Sequence, residues 1–264
     1  MTNDQLKNIR QRFDTFAKSF LCDDDFTNSN LNLKLCHSYN VPKESEFIAN
    51  ELKLPEDQTN LAIAIGLVHD IGRFPQFAKY KTYTDHHSIN HSQLGAESII
   101  ENKVIADIPQ DQQDVIITAV KYHGVKEIPA DITGDALLHT QIIRDADKID
   151  IYKVVINLFD LYRKDPEKFP FEIEFPENDQ YSAPILDALI KGQQIDYSLI
   201  DTMNDARLLQ IAWVFDTNFA PSLKRIQQKG YIDKLFDYFP DTPPLQAARK
   251  HILNYMTTRI DDNT

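Results

Sequence analysis

Seven side chains in this sequence have the right types to act together: His37, His69, Asp70, His91, His123, Asp145 and Asp147. Imidazole nitrogens and carboxylate oxygens, with no thiolate beside them, suit Mn, Fe, Co, Ni, Zn or Mg. The sharpest item is the dipeptide His69-Asp70. It closes an almost wholly apolar helix, where a charge is costly unless something pairs with it. A divalent cation is one such partner. The other is an ordinary helix end, with His69 capping carbonyls and Asp70 meeting Arg73. The dipeptide alone favours the ordinary end.

The elements that must carry these residues change the weighing. Leu6, Ile9, Phe13, Phe16 and Phe20 step by three and four, one face of an amphipathic helix. Asp23 to Asn30 reads as a polar break. Leu31 to Leu54 reads as helical, with Pro42 expected to kink or split it. His37 stands one turn before that proline, beside Leu33 and Val41. Residues 56–70 form a buried helix, with Gly72 and Pro75 as stop signals. Residues 75–87 read as a loop, and Ser88 as the cap of a helix running to about Glu101. His123 ends the stripe Val115, Ile116, Ala119 and Val120, so its ring should point inward. Gly134 to Lys164 reads as one long helix.

On that helix Asp147 shares a stripe with Thr140, Ile143, Ile151 and Val154. Asp145 shares one with Leu138, Ile142, Ile149 and Tyr152. Periodicity does not choose between them. A buried carboxylate needs a cation, a donor set or a metal. Four separate helices each supply an inward His or Asp, which accident explains poorly.

The order His37, then LVHDIGRFPQF around His69-Asp70, then IIRDADKID resembles the HD-domain superfamily of metal-dependent phosphohydrolases. The likeness covers about residues 30–155. Its last motif marks the Asp of Ala-Asp, which assigns Asp147 rather than Asp145. Members with two metals add two histidines in between, where YTDHHSINHSQLG and AVKYHG supply His91 and His123. His91 is preferred over His86 and His87 because it shares a helix face with Leu94, Gly95 and Ser98.

The resemblance implies that His37, His69, Asp70 and Asp147 hold one divalent ion. Asp70 then bridges to a second, held also by His91 and His123. Two ions sharing a carboxylate and a water lower that water's pKa and hold the attacking and leaving oxygens. Arg73 and Lys148 become phosphate contacts, and His87 faces solvent or substrate. The implied activity is hydrolysis of a phosphate ester of a nucleotide or another small phosphorylated metabolite. The alternatives are an HD-type di-iron oxygenase or a non-catalytic HD ligand sensor. The absence of Gly-Tyr-Pro after His123 disfavours cyclic-di-GMP as substrate. Ile-Gly-Arg after the pair, in place of Glu-Asp, disfavours ppGpp.

Composition fits this reading. Seven glycines in 264 residues and few alternating stretches favour an all-α chain. The expected architecture is an HD-domain helical core over 1–165, holding the metal site, with a helical extension over 166–264 packed on it. Pro166 to Tyr181, with alternating Phe171, Ile173 and Phe175, is read as a crossing loop or short strand at the boundary. Pro221 and Gly230 bound one later helix. Pro243 and Pro244 precede the last, striped by Leu245, Ala248, Ile252, Tyr255, Met256 and Ile260. Trp213, Phe215 and Phe219 serve a dimer as readily as a core.

A net charge of −12 argues against nucleic-acid polymers or anionic membranes as partners. Two cysteines, Cys22 and Cys36, make no disulfide framework. The N-terminus reads as lacking a secretory signal. The longest apolar run, Leu61 to Val68, is far short of the roughly 20 residues a membrane helix needs. A cytoplasmic protein is expected.

Overall fold

The computed structural model describes residues 1–165, 180–193, 195 and 197–262. Its first helix, α1 (Asn3–Lys18), opens on a reciprocal cap: Gln5 N donates to Thr2 Oγ1, and Thr2 N donates to the Gln5 side chain. Its apolar stripe buries Ile9, Phe13 and Ala17. α2 (Asp25–Glu51) starts from Asp24, whose carboxylate accepts from Thr27 N at 2.9 Å. The supposed polar break is therefore mostly helix, because an aspartate at its edge satisfies a free backbone donor.

Pro42 does not split α2, which runs unbroken through it. An interior proline costs about 3 kcal/mol, and packing offsets that here. Gly66 of α3 (Glu56–Val68) lies against it so closely that a Cβ would stand 3.0 Å from Pro42 Cα. α3 is buried on most sides, as its composition predicts. His69 caps its end, and its N–H still donates to Ile65 O.

The expected loop over 75–87 is instead α4 (Arg73–Tyr80) followed by a 3-10 turn, Asp85–His87. Pro75 falls in the first turn of α4, where its missing N–H costs nothing. α5 (His91–Glu101) is capped by Asn90, which accepts from Gln93 N at 2.8 Å. Ser88, the expected cap, donates to Thr84 O instead. α6 (Gln110–Tyr122) ends at His123, and α7 (Gly134–Lys164) has the extent its pattern predicts.

The chain divides into two compact units, Met1–Asp150 and Ile151–Thr264. In the first, α2 packs on α3 and α4, α3 on α1 and α6, and α5 on α4 and α6. Phe13, Val41, Ile48, Ile65, Val68, Ile99, Ile116 and Ile149 form its core.

The second holds α8 (Ala183–Ile190), α9 (Met203–Ala212), α10 (Ala220–Gln228), α11 (Tyr231–Phe236) and α12 (Pro243–Asp261). Pro221 lies in the first turn of α10, and Gly230 takes φ 64° between α10 and α11. Pro243 and Pro244 lie within α12's first turn rather than before it. Trp213 meets the buried Tyr152 edge-on, and Phe215 meets the half-buried Tyr255. Arg207 is buried with its guanidinium against the Phe159 and Tyr238 rings.

The fold is all-α: among the described residues there is no strand. The Phe171–Phe175 alternation and most of the expected boundary segment lie outside them. No helix among the described residues is long and apolar enough to cross a membrane.

Candidate metal centre

Six of the seven residues meet in one place within the first unit. His37 comes from α2, His69 and Asp70 from the turn after α3, His91 from the first residue of α5, His123 from the end of α6, and Asp147 from α7. One backbone approach brings two of these segments together. A Cβ on Gly72 would lie 2.2 Å from His91 O, so only glycine lets α5 begin beside the Asp70 turn.

Each imidazole is held from behind. His69 Nδ1 donates to Gly66 O at 2.8 Å and His123 Nδ1 to Val120 O at 2.7 Å. His37 Nδ1 lies 2.7 Å from Asp150 Oδ2, and His91 Nδ1 2.7 Å from Asp85 Oδ2. A carbonyl or carboxylate behind Nδ1 takes the ring proton there and turns the Nε2 lone pair inward. The four Nε2 atoms then face each other in two pairs: His37 and His69 at 3.3 Å, His91 and His123 at 3.2 Å.

Asp70 stands between the pairs. Its Oδ2 lies 3.7 Å from Nε2 of both His37 and His69. Its Oδ1 lies 3.5 Å from His91 Nε2 and 3.7 Å from His123 Nε2. Asp147 Oδ1 sits 3.0 Å from His37 Nε2 and 3.5 Å from His69 Nε2. That oxygen is buried and, among the described residues, accepts no well-formed hydrogen bond. Inward lone pairs together with two carboxylates make a pocket rich in acceptors. This donor set fits divalent cations.

Electrostatics follow from the same neighbours. Burial pushes the Asp70 carboxyl up, but Lys34, His69 and Arg73 hold it well below the ordinary carboxylate range. Burial likewise raises Asp147, and His37 and His69 outweigh it, so it too is held well below. Burial pulls His37 down, yet Asp147 and Asp150 lift it to about 9. For His91 burial wins over Asp85 and Asp70, and it falls to about 4.

Asp145 is the residue left out. It is more buried than Asp147, at 1 % exposure, but belongs to none of the ligand groups. Depth alone would have chosen Asp145, whereas the converging group contains Asp147. Arg73 reaches the site sideways: Nη1 donates to Asp85 Oδ1 and Tyr83 O, while Nε lies 3.5 Å from Asp70 Oδ1. Lys148 is half-buried beside Asp147, and His87 is exposed in the 3-10 turn.

Sequence reasoning missed three supporting groups. Lys34 Nζ donates to Asp70 Oδ2 at 2.9 Å, and Asp150 and Asp85 back His37 and His91. Lys34 stands three residues from His37 on α2, and Asp150 three residues from Asp147 on α7. That spacing was the signal available for them.

Residues 35–162 match the family model described as the HD domain. The match is consistent with the HD-domain superfamily, and the matched segment contains all six converging residues. No curated protein and no solved structure matches the chain. The family suggests hydrolase-type chemistry that depends on a metal, and the His/Asp groups are compatible with divalent ions.

Proposed function

We propose that this protein is a metal-dependent phosphohydrolase. It would act on a phosphate ester of a nucleotide or another small phosphorylated metabolite, with two divalent ions in its centre. His37, His69, Asp70 and Asp147 would hold one ion; Asp70, His91 and His123 would hold the other. The observation that carries this reading is the division of Asp70, with one oxygen toward each histidine pair.

Such ions, when bound, acidify a water and offset charge on the phosphoryl oxygens. The chain's own residues do the rest. Asp150 and Asp85 fix two imidazoles so that the donor atoms need no rearrangement. Lys34 offsets charge on Asp70, 2.9 Å away, and would do the same for a phosphoryl group bound beside it. Arg73 sits beside Asp70, with Nε 3.5 Å from its Oδ1, and would add positive charge where a phosphoryl group binds. Lys148 and His87 are the further substrate contacts of this reading.

The test is metal analysis of the purified protein, followed by a phosphate-ester panel with several metals. The expected result is two ions per chain and release of orthophosphate. A protein that binds no divalent ion overturns the reading. So does bound iron with oxygen uptake and no phosphate release, the outcome for a di-iron oxygenase.

A further inference from the structure

The segment between α4 and α5, residues 81–90, contains no buried residue. It nevertheless carries Asp85, whose Oδ2 backs His91 and whose Oδ1 accepts from Arg73 Nη1. The Asp85 side chain is 30 % exposed, so water competes for it. Its other protein donor is Gln76 of α4, which is fully buried. Gln76 Nε2 donates to Asp85 Oδ1 at 2.8 Å, and to Ser88 Oγ and Ile89 O at 2.9 Å each. Gln76 Oε1 accepts from Arg73 Nη1 at 2.9 Å.

These neighbours fix which way the amide points. A carboxylate, a carbonyl and a hydroxyl that already donates to Thr84 O must accept, and a guanidinium must donate. One side chain therefore gives protons to a carboxylate and takes one from an arginine at the same time. Glutamate lacks the donor, and lysine lacks the acceptor.

We propose that Gln76 is the positioning residue of the second half of the centre: it keeps Asp85 behind His91 whatever Arg73 holds. This rests on the two-ion phosphohydrolase reading of the same site, which asks Arg73 to serve a phosphoryl group. When Arg73 turns to that group, Gln76 leaves Asp85 Oδ1 with a donor, and the aim of the His91 ring survives.

The experiment titrates Mn²⁺ into the metal-free full chain and counts bound ions, the ion lost in His91→Ala marking the second site. Gln76→Met nearly keeps the side chain's size without its polar atoms. It is expected to weaken the second ion about tenfold, as for a group that orients a ligand, and to leave the first unchanged. In the Asp85→Asn background the same change should add little, because both act on one imidazole. Gln76→Glu keeps the acceptor for Arg73 but loses the donor to Asp85, and should weaken the second ion at least as much. Equal weakening of both ions, or full additivity with Asp85→Asn, overturns the proposal and leaves Gln76 a packing residue. So does a second ion that Gln76→Glu holds as tightly as the unaltered chain. Selective loss of the second ion in a chain that cleaves no phosphate ester supports the role of Gln76 and overturns the hydrolase reading. An unaltered chain with no second ion overturns this proposal together with the two-ion reading.

Discussion

The two halves of the centre are built alike yet charged differently. Both pair histidines whose Nδ1 atoms are held, one by a carboxylate and one by a backbone carbonyl. The His37–His69 half has Asp147 within 3.5 Å of both Nε2 atoms, whereas in the His91–His123 half Asp147 groups with His123 but not with His91, and the shared Asp70 and a Ser92 hydroxyl stand nearer. The consequence shows in the rings themselves: His37 is lifted to about 9, and His91 is pulled down to about 4. The nearer second carboxylate makes the first half the stronger trap for a proton. If the proposed pair of ions binds, the first half is expected to fill before the second.

Removing the shared group breaks the comparison outright. Asp70→Ala should empty both halves and leave the far-UV helical signal largely intact. Loss of several kcal/mol of charge stabilisation corresponds to about a thousandfold or more in rate. Full activity with bound metal in this variant would refute the centre.

The next changes separate the halves. His91→Ala and His123→Ala should each lower the count from two ions toward one, with the His37–His69 half still filled. Asp147→Asn should empty that other half, and Asp145→Asn should do less. Counting ions per chain under titrated metal decides this. Two ions in both histidine variants would transfer the second site to other residues.

Smaller effects come from the groups behind the rings. Asp150→Asn and Asp85→Asn should each weaken metal affinity about 10–100-fold, in the first and second half respectively. An equal effect of either change on both ions would mean that the halves do not act separately.

The mildest test is pH, on metal-free protein. His37 rises from 6.5 to about 9, so its contribution to stability is whole below pH 6.5 and is lost as pH climbs through about 9. His91 falls from 6.5 to about 4, so its contribution is whole above pH 6.5 and is lost as pH drops through about 4. Thermal unfolding should show both limbs. His37→Gln should flatten the alkaline one and His91→Gln the acidic one. Bound metal should also flatten the alkaline limb, because it replaces the proton.

What was legible in the sequence follows from where the physics is local. The long helix Gly134–Lys164 and the stripe ending at His123 are set by near neighbours, and both stand as read. Pro42 and Pro75 misled for opposite reasons. The contact that sustains α2 comes from Gly66, 24 residues away, while Pro75 sits where its missing donor is harmless. Asp145 and Asp147 illustrate another limit: periodicity reports depth, and the deeper carboxylate is not among the converging groups. Lys34 and Asp150 were overlooked because a charge on a helix reads as solvated until its partner is known. Those partners lie 36 and 113 residues distant.

Gly66 combines two tolerances in one residue. Its missing side chain sets how near α3 comes to α2, and its carbonyl sets the angle of the His69 ring. An error of a few tenths of an ångström in stacking the two helices is thus also an error in aiming a ligand. The centre takes its alignment from two backbones in contact rather than from adjustable rotamers. Heat or pressure that loosens this helix pair would detune the His37–His69 half before the fold as a whole gives way.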